Sequence, residues 1–142
     1  AAGAVEKACA ALKEAGAKRA IMLNVSAPFH SSLMEPAAQK LKKVLDKIEI
    51  KDAEIPVIAN VNALAETKAA DIRTHLVEQA AHAVRWEESM RNLIAGGMDT
   101  MVECGPGTVL SGFMRKIDKS IVSYHAENIE TIIETVQALK GV

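Results

Sequence analysis

Between residues 4 and 15 the apolar side chains Val5, Ala8, Cys9 and Leu12 fall at helical spacing, with Glu and Lys on the opposite face. That pattern predicts a helix closed by Gly16. Residues 20 to 25 (AIMLNV) are almost unbroken apolar sequence and read as a buried strand. A second stripe, Leu33, Ala37, Leu41, Val44, Leu45 and Ile48, predicts an amphipathic helix over 32–47. Ser32 and Glu35 fit a capping box there, while Pro36 argues for a start at Pro36 or a strained first turn. A short strand follows at 55–60, with Pro56 near its start or on an edge. Next come helices at 71–81, where Ile72, His75, Leu76 and Gln79 lie close to one face, and at 86–95, ended by Gly96-Gly97. The remaining pattern predicts a strand at 100–104, a tight turn at 105–107, a helix at 108–116, a strand at 121–124 and a helix at 128–139.

Strands and helices alternate over short connections, which predicts an α/β architecture with a mainly parallel sheet. In such folds, sites gather beyond the carboxyl ends of strands. The loops after three predicted strands carry His30, then Asn60-Val61-Asn62, then Gly105-Pro106-Gly107. All three are therefore expected at one edge of a sheet.

Composition narrows the partners. The 142 residues are the length of one ordinary domain with a core of its own. Seventeen basic against 18 acidic residues give a net charge of −1, no electrostatic reason to bind nucleic acid or an anionic membrane. Aromatic residues at 3% also leave few platforms for base stacking. The longest apolar runs fall short of the ~20 residues that span a bilayer, and with no basic-then-apolar stretch visible at the start no secretion signal is expected. Cys9 and Cys104 show no metal-ligand spacing, so reduced thiols in a cytoplasmic protein are expected. The chain enters its first helix with almost no preamble, as though it began inside a domain.

The chemistry on offer is a base without a convincing nucleophile. A neutral imidazole both takes and returns protons near pH 7, which makes His30 a candidate general base; the plain alternative is a hydrogen-bonded loop histidine. His75, His82 and His125 show no zinc spacing and read as helix-face or loop residues. The helix at 108 turns its N–H groups toward Gly105-Pro106-Gly107 and offers a place for an anion, or only a strand-to-helix turn. No Gly-x-Ser-x-Gly elbow occurs, and Ser31 and Ser32 stand beside His30 mainly as capping residues.

Four stretches, NVSAPFHSSLMEPAAQKL, IPVIANVNA, LVEQAAHAVRWEESM and VECGPGTVLSGFMRKI, together resemble the C-terminal part of the malonyl-CoA:acyl carrier protein transacylase family. That family includes the acyltransferase domains of polyketide synthases, and the resemblance runs essentially from residue 1 to 142. It implies an α/β-hydrolase-like large domain joined to a ferredoxin-like small subdomain. Residues 1–25 would be a remnant of the small subdomain and 26–142 the C-terminal part of the catalytic domain. It further implies ping-pong malonyl transfer in fatty acid biosynthesis, from malonyl-CoA through an acyl-serine to the phosphopantetheine thiol of acyl carrier protein. No metal or redox cofactor is implied.

By the same resemblance His30 matches the catalytic histidine, and Gln79, seven residues before Trp86, contributes the acceptor that orients it. Phe29, Asn60 and Gly105 fall at substrate-binding positions, the bulk of Phe29 leaning the choice toward malonyl over methylmalonyl. The family's serine elbow, its malonate-binding arginine and its oxyanion-hole glutamine belong to an earlier segment that this chain lacks. Alone, the chain is expected to be inactive, and that N-terminal segment is an expected partner. One departure is Ala83, beside His82, where the family commonly has proline. Two rival readings remain. One is a non-catalytic carrier-protein-binding module using Arg115, Lys116 and Lys119; the other is a hydrolase in which Ser31 or Ser32 serves His30.

Overall fold

The computed structural model describes residues 2–22 and 24–141; residue 23 of the predicted 20–25 strand lies outside them. Helix α1 (Ala2–Glu14) comes first. Its end is a Schellman closure: Ala17 N–H donates to Leu12 O at 2.9 Å and Gly16 N–H to Lys13 O at 3.0 Å. Gly16 sits at φ 91°, which only glycine adopts without strain. A 3-10 turn (Ser32–Met34) leads into α2 (Glu35–Leu45), with Pro36 in its first turn. The expected Ser32–Glu35 capping box does not form. The 3-10 turn occupies those residues, and a proline in a helix's first turn is tolerated because its missing N–H is an orphan anyway.

The hairpin β1 (Val57–Ile58) and β2 (Ala65–Glu66) pairs antiparallel, Val57 opposite Glu66. Helices α3 (Ala69–Glu78) and α4 (Trp86–Ala95) follow. Strands β3 (Thr100–Cys104) and β4 (Val122–Ala126) pair in parallel around the crossover helix α5 (Val109–Ile117), and α6 (Ile129–Lys140) packs on β4. Asn128 and Thr131 cap α6 reciprocally, Thr131 N–H to Asn128 Oδ1 at 3.0 Å and Asn128 N–H to Thr131 Oγ1 at 3.1 Å.

Two expectations are corrected. The described residues of 20–25 form no strand, because no other described segment pairs with them. Ile21, Met22 and Val25 stay exposed, flanking a groove of about 520 Å³ against Val5 of α1. The sheet is also not mainly parallel: one two-stranded sheet is antiparallel, the other parallel. A short local turn lets β1 find its partner in β2, so its edge is taken by a hairpin.

The buried core is small. Met114, Ala63, Ala38, Ala81 and Met90 fill it, while Leu33, Ile55, Val109 and Ile129 remain largely exposed. The helices are tied at their ends by side chains. Arg73 of α3 donates to Leu45 O, the last residue of α2, and at 2.8 Å to Ile48 O in the turn beyond it. Asp52 accepts from Ala69 N–H at 2.9 Å and from Lys68 Nζ at 2.8 Å, capping α3 from 17 residues away. No helix among the described residues is long and apolar enough to cross a membrane.

Candidate active site

Past the apolar run the chain turns at Ser26-Ala27-Pro28. Ser31 Oγ donates to Pro28 O at 2.7 Å and Met34 N–H to Ser31 O at 2.9 Å, closing the turn on both sides of His30. His30 is held at φ 56°. A non-glycine residue there costs on the order of 1–3 kcal/mol, and histidine tolerates it better than most. Such outliers persist where the surroundings fix them, and here the ring is fixed. His30 Nδ1 donates to the main-chain carbonyls of Gln79 and His82, at 3.1 and 3.0 Å. A carbonyl only accepts, so Nδ1 carries the hydrogen and the neutral ring has its lone pair on Nε2. Proton acceptance at Nε2 is the chemistry this arrangement makes ready.

Gln79 caps the carboxyl end of α3, its N–H bonded to His75 O at 2.9 Å. The segment after it is anchored from the other side. Arg85 donates from its backbone N–H to Asn60 O at 2.9 Å, from Nη1 to Asn62 O at 3.2 Å, and pairs with Glu88. The loop it grips is shaped by Asn62, whose Oδ1 accepts from Leu64 N–H at 2.9 Å and whose Nδ2 donates to Glu66 at 2.7 Å. Ala63, at φ 61° and almost fully buried, presents its carbonyl to Asn92 Nδ2 at 2.9 Å. Beneath this loop Asn60, Glu66, His75 and Gln79 share a cavity of about 220 Å³, with His75 Nδ1 2.5 Å from the Glu66 carboxylate.

Of the residues singled out from the sequence, the structure brings His30 to Gln79, and Asn60 to Gln79 across that cavity. Phe29, beside His30, is half exposed. Gly105 is not brought to the same sheet edge. It ends β3, turns at φ 132° and donates to Ala126 O at 3.2 Å, on a sheet without β1. The expected convergence of three loops on one edge is thereby corrected, since each loop leaves a different pairing unit. Nor is the amino end of α5 open to an outside anion. The buried carboxylate of Glu103 accepts from Leu110 N–H at 2.9 Å, Ser111 N–H at 2.8 Å and Ser111 Oγ at 2.7 Å. The Ser111 hydroxyl is the main reason this carboxyl is held below its ordinary range, with the two amides and His125 on β4 adding to it. Cys9 and Cys104 are both free thiols. Among the described residues no three His, Cys, Asp or Glu side chains cluster as metal ligands do.

Sequence reasoning missed three contributors: the His82 carbonyl, the Arg85 clamp and the Glu103 cap. Glu103 left a partial trace, an acid near the end of a strand before a glycine turn and a helix with serine in its first turn, but the N–H groups it fills read equally well as open to a ligand.

No protein-family model matches the chain. The malonyl CoA-acyl carrier protein transacylase of Bacillus subtilis strain 168 is 52% identical over 136 residues, 96% of this chain and 43% of that protein. The acyl-carrier-protein S-malonyltransferase of Burkholderia pseudomallei 1710b superimposes with a TM-score of 0.86 at 41% identity, over 94% of this chain and 43% of that one. A malonyl-transacylase solved in complex with a type II PKS acyl-carrier protein gives 0.86 at 38% identity, over 99% of this chain and 44% of that one. These relatives are named as transacylases and malonyltransferases, and the chain is similar to proteins of that class. It spans less than half their length. Within the class it belongs to the malonyl CoA-acyl carrier protein transacylase family, matching the C-terminal part of those proteins.

Proposed function

We propose that this chain supplies the base of a malonyl transferase whose nucleophile lies in a segment outside these 142 residues. The single observation behind the reading is His30 Nδ1 bonded to two main-chain carbonyls, which leaves Nε2 as the basic nitrogen. In the first half-reaction Nε2 takes the proton of a serine hydroxyl, and the oxygen attacks the thioester carbonyl of malonyl-CoA. The imidazolium returns its proton to the departing coenzyme A thiolate. In the second, the phosphopantetheine thiol of an acyl carrier protein loses its proton to Nε2 and attacks the acyl-serine carbonyl; the malonyl group passes to sulfur, and the departing serine oxygen takes the proton back from the imidazolium. No cofactor beyond the thioester substrate is required. Gln79 acts through its carbonyl, and Asn60 through the loop it anchors. Phe29 disfavours a branched acyl group, a discrimination worth about 1–3 kcal/mol per methyl. Gly105 has no contact here that supports the substrate role first expected of it.

The exposed side chains of Val5, Leu12, Ile21, Met22 and Val25 support a division at residue 25. The first part would belong to a ferredoxin-like small subdomain and 26–142 to an α/β-hydrolase-like catalytic domain of a cytoplasmic enzyme. Both faces would be covered by the missing segment. The hydrolase reading loses Ser31 as a candidate, since its hydroxyl is bonded to Pro28 O and not to His30. Arg115, Lys116 and Lys119 are exposed, and suit docking of an acidic carrier protein as part of the transfer, not in place of it.

The test is incubation with radiolabelled malonyl-CoA. The chain alone takes up no covalent label. Mixed with a polypeptide carrying the serine segment of the same enzyme, label appears on that polypeptide, and His30→Ala lowers its rate by about 10²–10⁴-fold. A malonyl adduct on the 142-residue chain alone overturns the reading.

A further inference from the structure

The carbonyls of Gln79 and His82 accept from the same nitrogen of His30, so the turn between them must point both the same way. Beyond α3 the chain tightens. Ala80 N–H donates to Val77 O at 3.2 Å and Ala81 N–H to Glu78 O at 3.1 Å. These three-residue bonds make a turn of the 3-10 kind, in which positions three apart eclipse one another. The pairs they join are 77 with 80 and 78 with 81, and no main-chain bond among those described carries the turn from 79 to 82. The contact that carries the turn on to residue 82 is a side chain: His82 Nδ1 donates to Glu78 O at 2.7 Å. Two imidazoles therefore stand in series on the carboxyl end of α3. The ring of His82 is tied to the Glu78 carbonyl, and the ring of His30 to the His82 carbonyl.

We infer that His82 is a positioning residue for His30. Its imidazole fixes the 80–82 turn so that the main chain of residue 82 becomes the second acceptor for His30 Nδ1–H. The proposal rests on the reading of His30 as base for its consequence in transfer, but not for its structural content. Both rings must hold their hydrogen on Nδ1, the tautomer that free imidazole in water disfavours. Loss of the His82 ring frees the turn and leaves His30 the Gln79 carbonyl alone.

Nitrogen-15 NMR of the imidazoles, at a pH where both are neutral, tests this. In the unmodified chain His30 and His82 both show the Nδ1–H pattern. His82→Ala moves His30 toward Nε2–H and lowers the thermal unfolding midpoint by no more than a few degrees, and His82→Asn, whose amide reaches the same carbonyl, restores the original pattern. With the serine-bearing segment supplied, His82→Ala lowers kcat for malonyl transfer roughly five- to tenfold, the worth of one net hydrogen bond, at unchanged KM. His82 found as Nε2–H, or His30 signals unmoved in His82→Ala, overturns the proposal. Should His82→Ala fail to fold, the unmodified chain and His82→Asn decide it. Transfer that survives His30→Ala would overturn the base reading and leave the tautomer result standing.

Discussion

His30 and Gln79, 49 residues apart, meet through a ring nitrogen and a main-chain oxygen at 3.1 Å. The Gln79 amide side chain has no part in that bond, and it lines the cavity shared with Asn60 and His75 instead. A backbone acceptor is indifferent to the side chain it belongs to, provided α3 keeps its last turn. Gln79→Ala should therefore leave His30 in its Nδ1–H tautomer and change transfer by less than about tenfold, far below the loss from His30→Ala. Imidazole NMR and kcat on the two variants check it; a Gln79→Ala defect equal to that of His30→Ala would make the side chain the acceptor that matters.

Ala63 carries strain that a glycine would relieve. At φ 61° an alanine costs about 1–2 kcal/mol, while glycine's freedom in the unfolded chain takes back about 0.4–1 kcal/mol. Losing the buried Ala63 methyl costs about 0.8 kcal/mol more, so Ala63→Gly should be close to neutral, within about 1 kcal/mol of the parent. Ala63→Val adds a β-branched side chain at a position only 1% exposed and should cost more than about 2 kcal/mol. Thermal unfolding of the pair separates strain from packing. A glycine variant less stable by about 1.2–1.8 kcal/mol, the full cost of the lost methyl and the added chain entropy, would show that φ is no burden there.

Asn128 gives a third measurable bond. Both halves of its reciprocal cap with Thr131 are formed at the start of α6. Asn128→Ala should cost about 1 kcal/mol of unfolding free energy by urea titration, and Asn128→Asp should recover most of it.

Period and punctuation made much of the fold legible. Helix α4 and strand β3 begin and end where Trp86, Gly96, Thr100 and Gly105 suggest. Those elements satisfy themselves locally, or against a neighbour close in sequence. The expected strand at 20–25 failed because a strand exists only with a partner, and an apolar run names neither the partner nor the surface that would bury it: Ile21, Met22 and Val25 are exposed. The Ser32–Glu35 box failed for the opposite reason, a local alternative winning over the expected start. The site was less readable still. No periodicity links residue 30 to residue 79, and only the resemblance joined them. Even then it could not say that the acceptor is main chain, or that residue 82 provides a second one. The three-donor seat of Glu103 was hidden because the same N–H groups looked free for a ligand.

That seat makes stability depend on pH in a defined sense. The folded-state pKa of Glu103 is depressed by Ser111, the amides of 110 and 111, and His125. A depressed carboxyl contributes stability that is whole above its ordinary value of 4.5 and is lost as pH falls through the lower folded value. Asp52 and Asp118 are shifted the same way, by Lys68 and Ser120. They act equally in a wild-type and Glu103→Gln pair and cancel in the difference. At pH 7 the variant, with one acceptor oxygen for three donors, should be the less stable protein. As pH drops below 4.5 the gap should close, because protonation turns the wild-type carboxylate into much the same neutral group. Urea unfolding of both proteins at pH 7, 4 and 3 measures the gap directly. A difference that stays constant down to pH 3 would mean that ionisation of Glu103 is not what holds the amino end of α5.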